Sequence, residues 1–299
     1  MIKWIAMFLM ILDHIGYYLG YLLPDPVNLT LRLLGRLSFP VFAYSIALGY
    51  LRTGNRTRYF VRMLLFAGIT QAALQVTAFY THTGTFINVM FTFSMAILFM
   101  ASAELLDRAR IALRPDIVGM SGDASYPTDQ GKFSDGYPDN RAAGEHSSPA
   151  VSLYGRRIPA VPAGIFAVAA MAVILGLTYR YGPDYNVFGI FSVYLFYVIQ
   201  KNVRNPELAL RQDRHALSIM FVSFLGLNLA WALFKIGFSS TNMYWILMEI
   251  FSVGAIGILL LDKPRKKPAR WEKYFFYFFY PAHMVFLMII SYLFVSGKL

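Results

Sequence analysis

The sequence predicts an all-α, polytopic membrane bundle of about nine transmembrane helices with its N-terminus in the cytoplasm. Composition is the first reason. Of the 299 residues 57% are hydrophobic and 14% charged, about half the charged share of a soluble domain. One soluble core could not hide so much apolar surface, whereas a bilayer absorbs it. The second reason is the length of the charge-free runs, and the third is where the basic residues fall between them.

The spans follow in order. Residues 4–23 are apolar except for Asp13 and His14, and residues 33–51 carry only Arg36 near their start. Between Met63 and Ala103 there is no Asp, Glu, Lys or Arg. That run is too long for one helix, since about 20 residues cross the hydrocarbon. The polar stretch Thr81-His82-Thr83-Gly84-Thr85 divides it in two. Residues 160–179, 185–200, 215–234 and 274–296 are free of charge, and 242–261 carry Glu249 alone. With the N-terminus inside, all but five of the 27 Lys and Arg fall on the cytoplasmic side. The exceptions are Arg32, Arg36, Arg180, Lys235 and Lys298. A wrong span count would scramble that alternation. The opening Met1-Ile2-Lys3 runs straight into apolar sequence with no small-residue cleavage site, so the first span is expected to be uncleaved.

Residues 114–159 interrupt the pattern. They are rich in Gly, Ser, Pro and Asp and lack apolar periodicity, as a flexible cytoplasmic linker would. The expected organisation is therefore four spans in 1–113, the linker, and five spans in 160–299. The net charge of +11 sits in short loops between apolar runs, so it reads as a topology signal and not as a nucleic-acid face. There is no cysteine, which excludes disulfides and thiolate chemistry. No two ligand residues stand three or four apart within a span, so a metal site is not expected.

An ionisable group at membrane depth costs several kcal/mol unless it is paired or wetted, which makes each one a functional candidate. The candidates are Asp13, His14, Glu249 and His283. Rising about 1.5 Å per residue, the first helix carries His14 roughly 16 Å beyond Lys3, and the last carries His283 roughly 15 Å beyond Lys273. Both imidazoles thus reach the midplane, and imidazole is the side chain best suited to take and return a proton. Asp13 points about 100° away from His14 around the helix, so it is expected to orient a group on a neighbour such as His283 or Arg36. Pro281 deletes the backbone bond to the Tyr277 carbonyl and should kink the helix beside His283. Glu249 is expected either to pair with Arg36 or Lys235 or to line an acceptor cavity. Arg36 is either an interfacial cation or a binding residue. Asn88, Asn228, Gln71 and Gln75 are polar groups of the packed interior or of a substrate site.

The last span opens on the string Tyr274-Phe275-Phe276-Tyr277-Phe278-Phe279-Tyr280-Pro281-Ala282-His283. It is accompanied by Asp13-His14-Ile15-Gly16, Gly35-Arg36-Leu37-Ser38-Phe39-Pro40 and Asn88-Val89-Met90-Phe91-Thr92. Asp184-Tyr185-Asn186-Val187-Phe188-Gly189 completes the set. In this order the strings resemble the TraX family, named for the pilin N-acetylating protein of conjugative plasmids. The spacing of Lys3 and His14 is also similar to the basic-x10-His pattern of a wider group of membrane acyltransferases. The resemblance implies a bacterial cytoplasmic membrane protein that takes acetyl-CoA as acyl donor. Carried over, Lys3 would help hold CoA and His14 would be the catalytic base, and an amine acceptor, a peptide N-terminus among them, is favoured.

The residues agree with that implication. Acyl-CoA phosphates need cations, no glycine-rich phosphate loop is present, and Lys3, Arg52, Arg56, Arg58, Arg62 and Lys273 flank the cytoplasmic mouths of the relevant helices. The expected chemistry is transfer of an acetyl or short acyl group to an amine or hydroxyl on a peptide, small molecule or glycan. His14 would act as base, with Asp13 and His283 orienting it or stabilising the oxyanion. Arg36, Glu249 and Asn88 would meet the acceptor. Direct transfer and an acyl-histidine intermediate both fit. The alternatives are a proton-coupled transporter with an Asp/His relay, and a scaffold whose histidines only join helices.

Overall fold

A computed structural model describes residues 2–82, 84–114, 149–153, 156–202, 214–238, 243–261 and 270–297. Eleven helices and one hairpin are described: α1 (Ile2–Tyr18), α2 (Asp25–Arg36), α3 (Ser38–Arg52), α4 (Arg56–Thr81), α5 (Val89–Leu113), β1 (Ala150–Leu153) and β2 (Arg156–Pro159). They continue with α6 (Ala160–Tyr181), α7 (Asn186–Lys201), α8 (Arg214–Phe238), α9 (Met243–Phe251), α10 (Ala255–Leu259) and α11 (Arg270–Val295). The chain is a multi-pass membrane protein of the all-α class.

The span count differs from the expected nine. Among the described residues six helical stretches are long and apolar enough to cross a membrane: 25–52, 56–81, 89–113, 160–181, 215–235 and 274–295. The other three expected spans are apolar but short. Helix α1 has 17 residues and α7 has 16, and the segment 247–259 is broken by a 3-10 turn at Ser252–Gly254. A second difference lies ahead of α3. Residues 25–32, which lie between the first two expected spans, are helical and belong to α2, whose Pro26 sits in the first turn, where a missing N–H costs nothing. Helices α2 and α3 run on through Leu37, and Pro40 deletes the bond that the Arg36 carbonyl would otherwise accept.

Helix ends follow ordinary capping chemistry. The Asn55 side chain accepts from the Arg58 N–H at 2.7 Å and starts α4, and His82 closes that helix in the left-handed conformation. Helix α7 starts less comfortably, on Tyr185 (φ 63°) and Asn186 (φ 43°), both non-glycine residues in the left-handed region.

Two compact units are distinguished. The first comprises residues 1–97 and 181–299. Within it α1 packs on α2, α3 and α11, α11 on α4, α3 on α7, and α7 on α8. The α1–α2 crossing is close because glycines line it. A Cβ on Gly35 would overlap Asp13, and one on Gly16 would press on Asn28 at 2.9 Å and Arg32 at 3.0 Å. The second unit is 98–180. In the stretch expected as linker, β1 and β2 pair antiparallel with Val151 opposite Ile158. Val151 is buried with Ala109, Ala160 and Ala163, and Ile158 packs against them. The Ala160 N–H, donating to Pro149 at 2.8 Å, joins the hairpin to α6. Most of the expected linker, including Lys132 and Arg141, lies outside the described residues.

Candidate active site

Helices α1 and α11 are joined at three levels. At the Lys3 end Trp4 meets Phe276 at 5.0 Å, Phe275 at 5.3 Å and Trp271 at 6.5 Å between ring centres. At the far end the Ser291 hydroxyl donates to the Tyr18 carbonyl at 2.9 Å, and the Tyr21 hydroxyl to the Ser291 carbonyl at 3.0 Å. Between them His14 and His283 meet, Nδ1 to Nε2, at 2.7 Å. The rings are 4.9 Å apart and both are buried. Equal depth was legible in the sequence; this contact was not.

The hydrogen bonds assign the protons. His283 Nδ1 stands 2.8 Å from the Phe279 carbonyl, an oxygen that can only accept, so this nitrogen carries the hydrogen. In neutral His283, Nε2 is then the acceptor, and His14 Nδ1 must donate to it. The lone pair of His14 is thereby placed on Nε2. A backbone carbonyl four residues back along α11 thus fixes which nitrogen of a histidine on α1 is basic. Tyr280 lies beside both rings, at 6.3 Å from His14 and 5.8 Å from His283.

Asp13 is not engaged with His283. Its carboxylate Oδ1 accepts from Arg32 Nη1 at 2.8 Å, and its carbonyl accepts from the same nitrogen at 3.2 Å. The pair is largely enclosed. Arg32, one of the basic residues that broke the topological pattern, is therefore the cation that lets an aspartate sit at this depth. Its guanidinium also lies 5.3 Å from the Tyr17 ring. A carboxylate inside a span calls for such a partner, and Arg32 stands four residues before Arg36, on the same helical face.

Arg36 sits beside this pair at the end of α2. Its Nη1 donates to the Tyr185 hydroxyl at 3.5 Å, a long contact, and its buried Nε has no partner among the described residues. It lies within electrostatic reach of Asp13, His14, Asp184 and Glu249. Phe39 stacks on Tyr185 at 3.7 Å and holds that strained residue in place. Asp184, in the turn before α7, has its backbone N–H on the Ile87 carbonyl at 2.8 Å, and its carbonyl accepts from the Thr92 hydroxyl. Burial pushes the Asp184 carboxyl up to about 6, with Arg36 pulling the other way. Glu249 faces the charges of Arg36 and Lys235.

Asn88 has a structural role in place of the substrate contact expected for it. Its amide donates to Ala67 at 3.0 Å and to Gln71 at 2.9 Å, and its oxygen accepts from Met90 N–H at 3.1 Å to cap α5. Its donors are spent.

Of the cations expected to hold CoA, Arg52 and Arg58 are exposed and Arg56 is half-buried against Tyr50, 4.8 Å from its ring centre. Arg58 and Arg62 line a polar pocket of about 320 Å³ at the α3–α4 turn, with Thr53, Gly54, Asn55 and Tyr59. Arg62 also lies 5.7 Å from the Tyr277 ring of α11. Lys3 occupies the first turn of α1, and the Lys273 side chain lies outside the described residues.

Residues 1–120 match the family model described as TraX protein. Over this stretch the chain is similar to the TraX family. No curated protein and no solved structure matches the chain. The TraX match contains Asp13, His14, Arg32 and Arg36, and so contributes one ring of the histidine pair. The other ring and the Tyr185 contact to Arg36 come from beyond it. The chain thus gathers around the TraX stretch an imidazole, a second histidine that sets its tautomer, and a guanidinium whose buried Nε has no partner among the described residues.

Proposed function

We propose that this protein, similar to the TraX family over residues 1–120, is a membrane-embedded acyltransferase. In this reading it moves an acetyl or short acyl group from cytoplasmic acyl-CoA to an amine or hydroxyl acceptor, with His14 as the general base. The N-terminus is placed in the cytoplasm of a bacterial inner membrane, which sets Lys3 and the α3–α4 turn on the side where acyl-CoA is made. The likeness of residues 1–120 to the TraX family supports a pilin-modifying type of chemistry. The observation that carries the reading is the His14–His283 contact, because it leaves a lone pair on His14 Nε2 inside the bundle.

The chemistry runs as follows. His14 Nε2 takes the proton of the attacking amine or hydroxyl as nitrogen or oxygen bonds to the thioester carbon. The imidazolium so formed is steadied through Nδ1–H by His283, whose own Nδ1–H remains on the Phe279 carbonyl. Collapse of the tetrahedral species breaks the C–S bond, and the departing thiolate takes the proton back from His14. Arg58 and Arg62, around their polar pocket, supply positive charge for the nucleotide phosphates of the donor.

The test is coenzyme A release by purified protein in detergent, given acetyl-CoA and an oligopeptide with a free N-terminus. Wild-type protein is expected to release thiol, and His14→Ala to lose at least 100-fold in rate. Equal turnover by the two proteins would remove His14 from the chemistry.

A further inference from the structure

We infer that Arg36 donates hydrogen bonds to the thioester carbonyl oxygen of the acyl donor and stabilises the oxyanion that forms there. The inference rests on the acyltransferase reading and adds a catalytic residue to it.

Burial of a polar donor without an acceptor costs free energy, and a guanidinium has five donors to satisfy. Among the described residues Arg36 has one hydrogen bond, the long contact to Tyr185, and its Nε is buried and bare. Its neighbour Arg32 takes the Asp13 carboxylate, so Arg36 does not. Asp184 accepts from the Tyr185 N–H at 3.1 Å through its own carboxylate. The charge of Arg36 is balanced by the acids around it, yet its Nε hydrogen has no acceptor among the described residues. That combination suits an oxygen that is neutral in the ground state and becomes negative during reaction. A permanent carboxylate would add to an already acidic surround of Asp13, Asp184 and Glu249 and is disfavoured.

Position agrees with this assignment. The α1–α2 crossing is so close that Gly35 abuts Asp13, which sets Arg36 at the level of His14. The guanidinium is held by structure and not by ligand. Tyr185 is kept in a left-handed conformation by its stack on Phe39, an expense that preorganises the hydroxyl accepting from Arg36. During attack the C=O π electrons move onto oxygen as the nucleophile bonds to carbon. Arg36 meets that charge without giving up a proton, and the electrons return to the carbonyl as the C–S bond breaks.

The experiment compares wild type, Arg36→Gln and Arg36→Lys with acetyl-CoA and the same oligopeptide, after confirming equal helix content and monodispersity in detergent. The expected result is a kcat lowered about 100-fold or more in Arg36→Gln, with KM for acetyl-CoA within a factor of three and partial recovery in Arg36→Lys. Tyr185→Phe, which keeps Arg36 and loosens it, should fall between. If Arg36→Gln keeps kcat and raises KM for the peptide, Arg36 binds acceptor and the inference fails alone. If wild type itself releases no thiol, the acyltransferase reading fails and takes the inference with it.

Discussion

At the scale of single residues, the arrangement rests on protons whose positions are dictated by oxygen atoms. The Phe279 carbonyl fixes His283, and His283 fixes His14. Removing the acceptor on His283 should therefore damage the base without touching the donor site. His283→Phe keeps a ring of similar size but leaves His14 Nδ1–H unpaired and lets either tautomer form. Its kcat is expected to drop roughly 100-fold with KM for acetyl-CoA unchanged, the loss typical of a mispositioned base. His283→Gln, whose side-chain oxygen can accept from His14 Nδ1–H, should recover part of that loss. A purely structural joint between helices would show neither the kcat–KM split nor the rescue.

The depth of the two imidazoles could be counted from Lys3 and Lys273, because helical rise is regular. Their contact could not, because helix order around a bundle leaves no periodic trace in sequence. Asp13 shows the same boundary. Its angle to His14 was legible and its partner was not: His283 or Arg36 was expected, and the carboxylate pairs with Arg32. Asp184 and Tyr185 stood in a quoted motif without a role. Only the turn that brings them under Arg36 gives them one.

At the scale of elements, charge-free runs located most helices, since the cost of a bare charge in lipid leaves a strong compositional mark. Helix α2 left none, because half its face is polar and it lies against α1 through Gly16, Asn28, Arg32 and Gly35. That packing is the mechanical basis of the site, as it brings both arginines to Asp13 and His14. Gly35→Ala should be the sensitive probe of it. A methyl group there overlaps Asp13, and the overlap is with backbone as well as side chain, so rotamer change alone cannot relieve it. The expected cost is about 1–3 kcal/mol, read as a lowered unfolding temperature in detergent. Activity should fall further than stability, because separating α2 from α1 moves Arg36 away from the base. Gly176→Ala, at a position with open space around the added carbon, is the matched control and should leave both unchanged.

At the scale of the whole molecule, the proposed chemistry depends on whether α1 and α7 cross the bilayer, since that decides which side of the membrane each end of these helices meets. Helix α7 has 16 residues, short for a span of about 30 Å at 1.5 Å per residue, unless the bilayer thins or flanking side chains reach outward. Its two ends favour crossing. One begins at the turn of Asp184 and Tyr185, and the other ends in Lys201, whose ammonium lies 5.7 Å from the Tyr197 ring in the manner of an interfacial anchor. The chain has no cysteine, so single substitutions can be labelled without background. With nine crossings, Gly54→Cys after α3 and Asn202→Cys after α7 face the same side. With only the six long stretches crossing, α1 and α7 do not cross, and the two positions face opposite sides. An impermeant maleimide applied to intact cells, then to inverted vesicles, separates these outcomes. The expected result is protection of both positions in cells and labelling of both in inverted vesicles, because the arginines around Gly54 and Lys201 beside Asn202 mark the cytoplasmic side. Labelling of Asn202→Cys in intact cells would put α7 on one side of the membrane, and with it the Tyr185 support of Arg36.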